Sequence, residues 1–418
     1  MGKKIIILFV LAMAMRLLAL ASFDSAESIM HRDGKDYFGI ATNIVNHGVY
    51  SMDDSTGELK SDNFRTPLYP LFLTPFVLLD ASLYTIALVQ SLIMSLGIVL
   101  IFLLAKDVFE PRAAYYGSLA LALEPYTALL NNQLVTEWLL ALFFIPALLF
   151  TAKYCLGRKI IHYMLASCLF ALSALIKPVV FPILFLIPFV AFIDGCSKQT
   201  LKHALASLIV IATISAPWIV RNKIQLGFWS YSTIVEYNVY NYNAKHFNRW
   251  LEDRRLLDNN KLDYEKLDLT HYWQAEKAST YLNAGKRFIL EYPFYYAVFI
   301  GQTFSNMFTD TSYSTITEGL DLNQVTSDFI LKLSTWIFSL IALFAFLDST
   351  LAKNRLLVGK LVMILLILGL TLLSAPFGAA RYRVGINQLL FIMATSYVLL
   401  TYQKLRTGIC PSEDVAQS

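Results

Sequence analysis

Two carboxylates, Asp33 and Asp36, stand one helical turn apart within the stretch Asp24 to Arg65, and Arg65 leads into Thr-Pro-Leu-Tyr-Pro70. Carboxylates move protons to and from hydroxyl groups, and a guanidinium fork can chelate a phosphate through two hydrogen bonds. The stretch also holds Asp24, Glu27, Asp53, Asp54, Glu58 and Asp62, against Arg32, Lys35 and Lys60. Solvation alone accounts for an acidic loop, and lipid headgroups alone account for its arginine. The order of the parts says more. Asp33-Gly-Lys-Asp36-Tyr37 opens a segment in which Tyr37, Phe38, Ile40, Ala41, Ile44 and Val45 recur at helical spacing, and Gly48-Val-Tyr50-Ser51 closes it. This pattern predicts a short helix lying on a membrane surface, with carboxylates and an arginine at headgroup depth.

Other charged residues gather at the ends of apolar runs. Glu124-Pro125 and Thr136-Glu137 mark a polar turn, Lys177 stands alone between two runs, Pro217-Trp-Ile-Val-Arg221-Asn222 ends a run, and Arg381-Tyr-Arg383 precedes the last one. The helix dipole alone accounts for Glu137 at the start of an apolar helix. Lys177, Arg221, Arg381 and Arg383 read equally well as span-end anchors and as cations for a phosphate. The run Glu236 to Asn243, rich in Tyr and Asn, suits sugar binding by stacking and hydrogen bonding, and suits an ordinary interfacial loop as well. His31, His47, His246 and His271 share no ligand spacing, and Cys155, Cys168, Cys196 and Cys410 form no Cys-x-x-Cys pair, so neither type argues for a metal site.

The elements that must position these groups are apolar helices. Of 418 residues, 56% are hydrophobic and 15% charged, more apolar surface than one soluble core can hide. The fold class expected is all-α integral membrane. Runs at Ile5–Ser22, Leu83–Ala105, Ala113–Leu123, Leu134–Ala152, Ile161–Ile176, Val179–Ile193, Leu201–Val220, Phe329–Leu347, Leu356–Leu373 and Val384–Tyr402 predict about ten spans. The run at 179–193 contains Pro182 and Pro188, which predicts a bent or half span. The first run reads as a retained anchor rather than a cleaved signal peptide, with Arg16 snorkelling near its outer end. Residues 1–220 then form an N-terminal membrane module with its first external loop at 23–66, residues 221–324 an external or interfacial region, and residues 325–418 the C-terminal helices. Glu291 to Phe308 is read as peripheral, because a span there would invert every later loop.

Short loops carrying Lys106 and Arg112, Lys153, Arg158 and Lys159, Lys198 and Lys202, Lys353, Arg355 and Lys360, and Lys404 and Arg406 all fall on one side when the spans alternate. The positive-inside rule makes that side cytoplasmic, with both termini, and makes the polar stretches external. Three cysteines then lie at the cytoplasmic side and Cys168 within a span, so the external loops hold no disulfide candidates. A net charge of +4, dispersed between spans, excludes a nucleic-acid partner.

In order and placement these motifs resemble the polytopic membrane glycosyltransferases called GT-C, in particular the bacterial branch related to protein O-mannosyltransferases and aminoarabinose transferases. Asp33 with Tyr37, Gly48 to Ser51, Arg65 to Pro70, Glu124-Pro125 with Thr136-Glu137, Pro217 to Asn222 and Arg381 to Arg383 carry the resemblance. It implies an enzyme of the cytoplasmic membrane that moves a sugar from a polyprenyl-phosphate donor to a lipid, glycan or protein acceptor at the outer face. The implied catalytic residues are Asp33 as base, Asp36 as its rival and Glu137 in a second acidic motif. Arg65, Lys177, Arg221, Arg381 and Arg383 would hold the donor phosphate, and Tyr37, Tyr69 and Glu124 would line the acceptor or sugar site. A divalent metal is left open, since some relatives use one and others do not. Two other readings compete. A polysaccharide polymerase would rely on arginines of the second external region such as Arg254 and Arg255; a transporter or flippase would need ionisable groups deep in the spans.

Overall fold

The computed structural model describes residues 2–30, 32–52, 59–193, 195–256, 267–310 and 324–407. His31, Asp53, Asp54, Glu58 and Cys410 lie outside the described residues. The described secondary structure is helical throughout: α1 (Gly2–Ala21), α2 (Ala26–Ile29), α3 (Arg32–His47), α4 (Leu68–Leu78), α5 (Leu83–Ala105), α6 (Pro111–Ala122), α7 (Pro125–Asn132), α8 (Glu137–Gly157) and α9 (Ile160–Ile176). There follow α10 (Phe181–Leu184), α11 (Lys198–Leu226), α12 (Ile234–Asn238), α13 (Lys245–Asp253), α14 (Ala278–Glu291), α15 (Pro293–Thr309), α16 (Gln324–Leu347), α17 (Asn354–Ser374) and α18 (Asn387–Thr407).

Seven of these, α1, α5, α8, α11 and α16 to α18 with their short extensions, are long and apolar enough to cross a membrane. Leu68–Leu78, Ile160–Ile176 and Pro178–Phe192 are shorter apolar helical segments. The last of these is broken as its prolines predict, with 3-10 turns at Pro178–Val180 and Ile187–Phe192 on either side of α10. The chain is an all-α, multi-pass membrane protein. Its first and last helices share one core: Leu8, Met94, Phe144, Phe170, Met363 and Ile392 are buried in the same cluster. Outside it, Phe247, Leu251, Phe288 and Phe299 form a smaller cluster that holds α13 to α15 together.

Two details differ from the sequence reading. Arg16 does not snorkel: its side chain is buried within the bundle and donates to the Ala12 carbonyl at 3.0 Å, because the face of α1 that carries it packs against α5 and α7. Lys360, counted with a basic loop, is buried inside α17 and paired with Asp348 at 2.7 Å.

Helix direction sorts the charges. Glu137 begins α8 and Arg158 caps its far end; Lys159 precedes α9 and Lys177 follows it; Lys198 begins α11 and Arg221 lies near its end. Arg381 precedes α18, whose last turn holds Lys404 and Arg406. The residues singled out for chemistry therefore lie at the helix ends opposite the basic loops.

Candidate active site

Three loops and one surface helix meet at that end. The helix is α3, amphipathic as its spacing predicts and ending at Gly48, with Ile40 and Ala41 fully buried. Its first turn lies directly on the backbone before α8. A Cβ at Gly34 would come within 2.8 Å of the Leu134 Cβ and 3.0 Å of the Leu134 carbonyl oxygen, so only glycine allows this approach. The Leu134 amide donates to the Ile29 carbonyl at 3.0 Å, which closes α2 onto the same turn. From beneath, the Gln90 amide of α5 donates to the carbonyls of Asn131 and Gln133 at 3.1 and 3.2 Å. Asp33 and Glu137 are thereby set close together from sequence positions more than a hundred residues apart.

The loop returning from α3 to α4 is fixed by its own polar groups. Met52 and Phe64 donate their amides to the Asp62 carboxylate at 2.6 and 3.0 Å, and the Tyr50 hydroxyl donates to the Arg65 carbonyl at 2.9 Å. Asp62 is buried, and burial pushes its carboxyl up to about 7 against the pull of those two amides. Thr66 donates to the Ile176 carbonyl at 2.9 Å, tying Arg65 to the turn that carries Lys177.

The result is an alternating row of charges: Asp36, Arg65, Asp33, Arg381, Glu137, Lys177. Arg65 donates to Asp36 through Nε at 3.1 Å and Nη2 at 2.6 Å, and to Asp33 at 2.9 Å. Arg381 bridges Asp33 and Glu137, the second at 2.7 Å, and Lys177 donates to the same Glu137 oxygen at 2.7 Å. Three carboxylates balance three cations. Glu137 is the buried member, with 1% of its side chain exposed, and its Oε2 has no hydrogen-bond partner among the described residues. Asp33 is the most open, with 25% exposed against 18% for Asp36 and 11% for Arg65. Burial raises the Asp36 carboxyl above its usual range, and the neighbouring Arg65 charge opposes the shift without cancelling it. Burial disfavours the charge on Arg65, but Tyr37, Asp33 and Asp36 outweigh it and hold the guanidinium well above its ordinary value.

Not every residue named from the sequence joins the row. Tyr37 does, with its ring 5.0 Å from the Arg65 guanidinium; burial pushes its phenol up to about 12 and keeps it protonated. Tyr69 is fully buried, donates its hydroxyl to Gln90 at 2.7 Å and packs edge-on to Tyr37, so it supports the site from the core. Glu124 caps α7, accepting from the amides of Tyr126 and Thr127 at 3.0 and 2.7 Å, as its position before Pro125 favours. Arg221 staples the loop, donating to the carbonyls of Asp62 at 2.6 Å and Tyr50 at 3.2 Å. Arg383 is buried, donates to the carbonyls of Met307 and Phe308 at 3.0 and 2.8 Å, and lies over the Phe338 ring. Both arginines spend their donors on backbone carbonyls near a span end. Arg254 and Arg255 are exposed on the end of α13, where Arg254 stacks on Trp250 and donates to Gln302 at 2.8 Å.

The sequence reading passed over Tyr272 and Tyr382. The Tyr272 hydroxyl lies 3.5 Å from Asp36, and Lys177 lies 4.6 Å above the Tyr382 ring. Tyr382 stood inside the quoted Arg381-Tyr-Arg383 motif, whereas Tyr272 had no signal beyond its place in an aromatic patch, His271-Tyr-Trp273. As for a metal, no group of three or more His, Cys, Asp or Glu among the described residues is arranged to hold one. Each carboxylate of the row is separated from the next by a cation, so the divalent ion left open above does not fit the arrangement.

Residues 65–220 match the family profile described as dolichyl-phosphate-mannose-protein mannosyltransferase. The matched stretch includes Arg65, Glu137 and Lys177 and excludes Asp33 and Arg381. No protein of curated function matches the chain in sequence. Among solved structures, the chain resembles the oligosaccharyltransferase AglB from Archaeoglobus fulgidus in complex with an inhibitory peptide and a dolichol-phosphate, with a TM-score of 0.51 and 14% identity over 97% of this chain and 51% of that one. The Archaeoglobus fulgidus oligosaccharyltransferase tethered to an acceptor peptide gives a TM-score of 0.54 and 14% identity over 99% of this chain and 51% of that one. The chain thus spans about half the length of the structures it matches. Profile and fold agree with the ordered motifs: the chain has the architecture of the GT-C superfamily, the family its sequence resembles.

Proposed function

We propose that the chain transfers a sugar from a polyprenyl-phosphate donor to an acceptor at the outer face of the cytoplasmic membrane. The observation that carries this reading is the alternating row, which sets an accessible carboxylate between two guanidinium groups at the end of the bundle away from the basic loops. The positive-inside rule makes that end the outer one. The matched profile is named for a lipid-phosphate sugar, and the archaeal structure holds a dolichol-phosphate, which supports a donor of the same class.

In this reading the donor phosphate takes hydrogen bonds from Arg65 and Arg381, which releases Asp33 from both. Asp33 then accepts the proton of the acceptor hydroxyl as that oxygen bonds to the anomeric carbon, and the bond from that carbon to the phosphate oxygen breaks with inversion. The leaving polyprenyl phosphate gains a negative charge, which the two guanidinium groups and Lys177 stabilise. Asp36 holds Arg65 through two hydrogen bonds and orients it. The exposure of Asp33 and its place between the two cations favour it over Asp36 as the base. Asp33→Asn is expected to lower turnover by about 10²–10⁴-fold while leaving binding of the glycosylated lipid within about threefold. Transfer from radiolabelled polyprenyl-phosphate sugar by purified, folded protein measures this; full activity in the variant would remove Asp33 as base. Arg254 and Arg255 lie away from the row, which argues against the polymerase reading.

A further inference from the structure

A second row, of aromatic rings, runs beside the charges. Phe64 packs edge-on to Tyr272 at 5.1 Å, Tyr272 stacks on Tyr237 at 4.8 Å, and Tyr237 meets Tyr242 at 6.3 Å. Tyr242 then contacts Phe377 at 4.8 Å, and Phe377 stacks on Tyr382 at 4.4 Å. The row starts under Arg65, 5.4 Å from the Phe64 ring, and ends under Lys177, so the two rows share cations at both ends. Phe64 is buried and anchors the row; the other five rings are half-buried and keep surface open.

The backbone is specialised to build it. Tyr237 and Tyr242 are five residues apart, which an α-helix at about 100° per residue would point well away from each other. Tyr237 lies near the end of α12, and Tyr242 in the π-helix Val239–Ala244 that follows, whose wider turn reduces the angle between the two rings. The wide turn is held from three sides. Gly285 of α14 lies so close that a Cβ there would come within 2.6 Å of the Val239 carbonyl oxygen; Tyr240 accepts from the Leu267 amide at 2.8 Å; and the Tyr296 hydroxyl donates to Asn243 at 2.6 Å.

A surface with charged and aromatic sides matches a sugar ring, which presents hydroxyl groups around its edge and C–H groups on its face. We infer that Tyr237, Tyr242 and Tyr272 form the platform on which the donor sugar lies while its phosphate occupies the neighbouring cations. This rests on the proposed function, since it takes the lipid phosphate as given. The sugar is commended over an acceptor because it is joined to the phosphate directly, and both ends of the aromatic row are cations.

The test compares bare polyprenyl phosphate with the same lipid carrying glucose, mannose, galactose or arabinose, binding to the full chain in nanodiscs. Wild-type protein is expected to bind at least one glycosylated lipid more tightly than the bare one. Tyr237→Leu and Tyr242→Leu should weaken that preferred lipid by about tenfold or more and the bare lipid by less than about twofold. Tyr237→Phe, which keeps the ring, should stay within about threefold of wild type. Equal loss of both lipids in variants with unchanged melting behaviour, or no loss at all, overturns the platform and leaves the lipid-phosphate reading standing. Wild-type protein that binds the bare lipid without preferring any glycosylated one does the same. Wild-type protein that binds none of the lipids overturns both.

Discussion

The two ends of the bundle use ion pairs differently. At the end with the basic loops, Lys360 and Asp348 pair at 2.7 Å with 2% and 0% of their side chains exposed, and Lys360 also lies 5.1 Å from the Phe109 ring. At the other end, Arg65, Asp33 and Arg381 share partners in an open chain with 11% to 25% exposed. A sealed pair has one arrangement and locks the turn between α16 and α17 onto α17 itself. A shared, partly open row can exchange one partner for an incoming anion, because each cation that leaves a carboxylate leaves it in reach of water or substrate. Equal numbers of charges therefore differ in setting: one set is sealed in the core, and the other is open enough for the ligand exchange that the proposed function requires.

Three experiments break or sharpen this contrast. Lys360→Ala strands a buried carboxylate and should destabilise the fold by about 3–5 kcal/mol, measured by unfolding in detergent, while the folded fraction keeps its specific activity. Paired replacement by Met and Leu should recover much of the loss; a variant as inactive as it is unstable would erase the distinction between the two ends. Arg65→Lys keeps the charge and loses the fork that holds both Asp33 and Asp36, so kcat/KM should fall by about 10²-fold with little change in melting temperature. Unchanged kcat/KM would make Arg65 a fastening as well.

An effect on stability alone, seen only as pH changes, is expected in the loop that supports the row. The folded-state pKa of Asp62 lies near 7, above its ordinary value of 3.8, so folding favours the protonated form. Its contribution to stability is present below pH 4 and is lost as pH rises toward and through 7. Asp62→Asn removes that titration, and its stability should vary less between pH 4 and pH 7 than that of wild type, by about 3 kcal/mol. Parallel pH profiles for the two proteins would assign the loop's acid response to another group.

Much of the fold was legible because its causes are local. Apolar runs of span length, prolines at 182 and 188, and the helical spacing from Tyr37 to Val45 each act within a few turns of chain, and α3 and the broken segment at 178–192 follow from them. Glu124 shows one motif carrying two readings. Its place before Pro125 belongs to the family motif, and the same feature is the signature of a helix cap, which the carboxylate forms. Tyr69 was chosen for its motif and lies in the core, since the side of α4 that carries it faces α5 and α8. The aromatic row escaped notice because a π-turn changes which residues share a face, and nothing in the tyrosine and asparagine run distinguishes that turn from an α-helix.

By itself the sequence determined the solvent of this protein, the gathering of its basic loops at one set of helix ends, and the types of group present at the opposite ends. Hydropathy and charge act residue by residue, so one chain suffices to read them. Only the tertiary structure decided which cation meets which carboxylate. Asp33 and Arg381 lie 348 positions apart, and their meeting depends on Gly34 admitting the Leu134 backbone, on Gln90 holding the turn before Glu137, and on α18 packing beside α6. Arg383, two residues from Arg381, turns instead to the carbonyls of α15. Packing in three dimensions, not residue type, separates the arginine of the charge row from the arginine that holds the helices together.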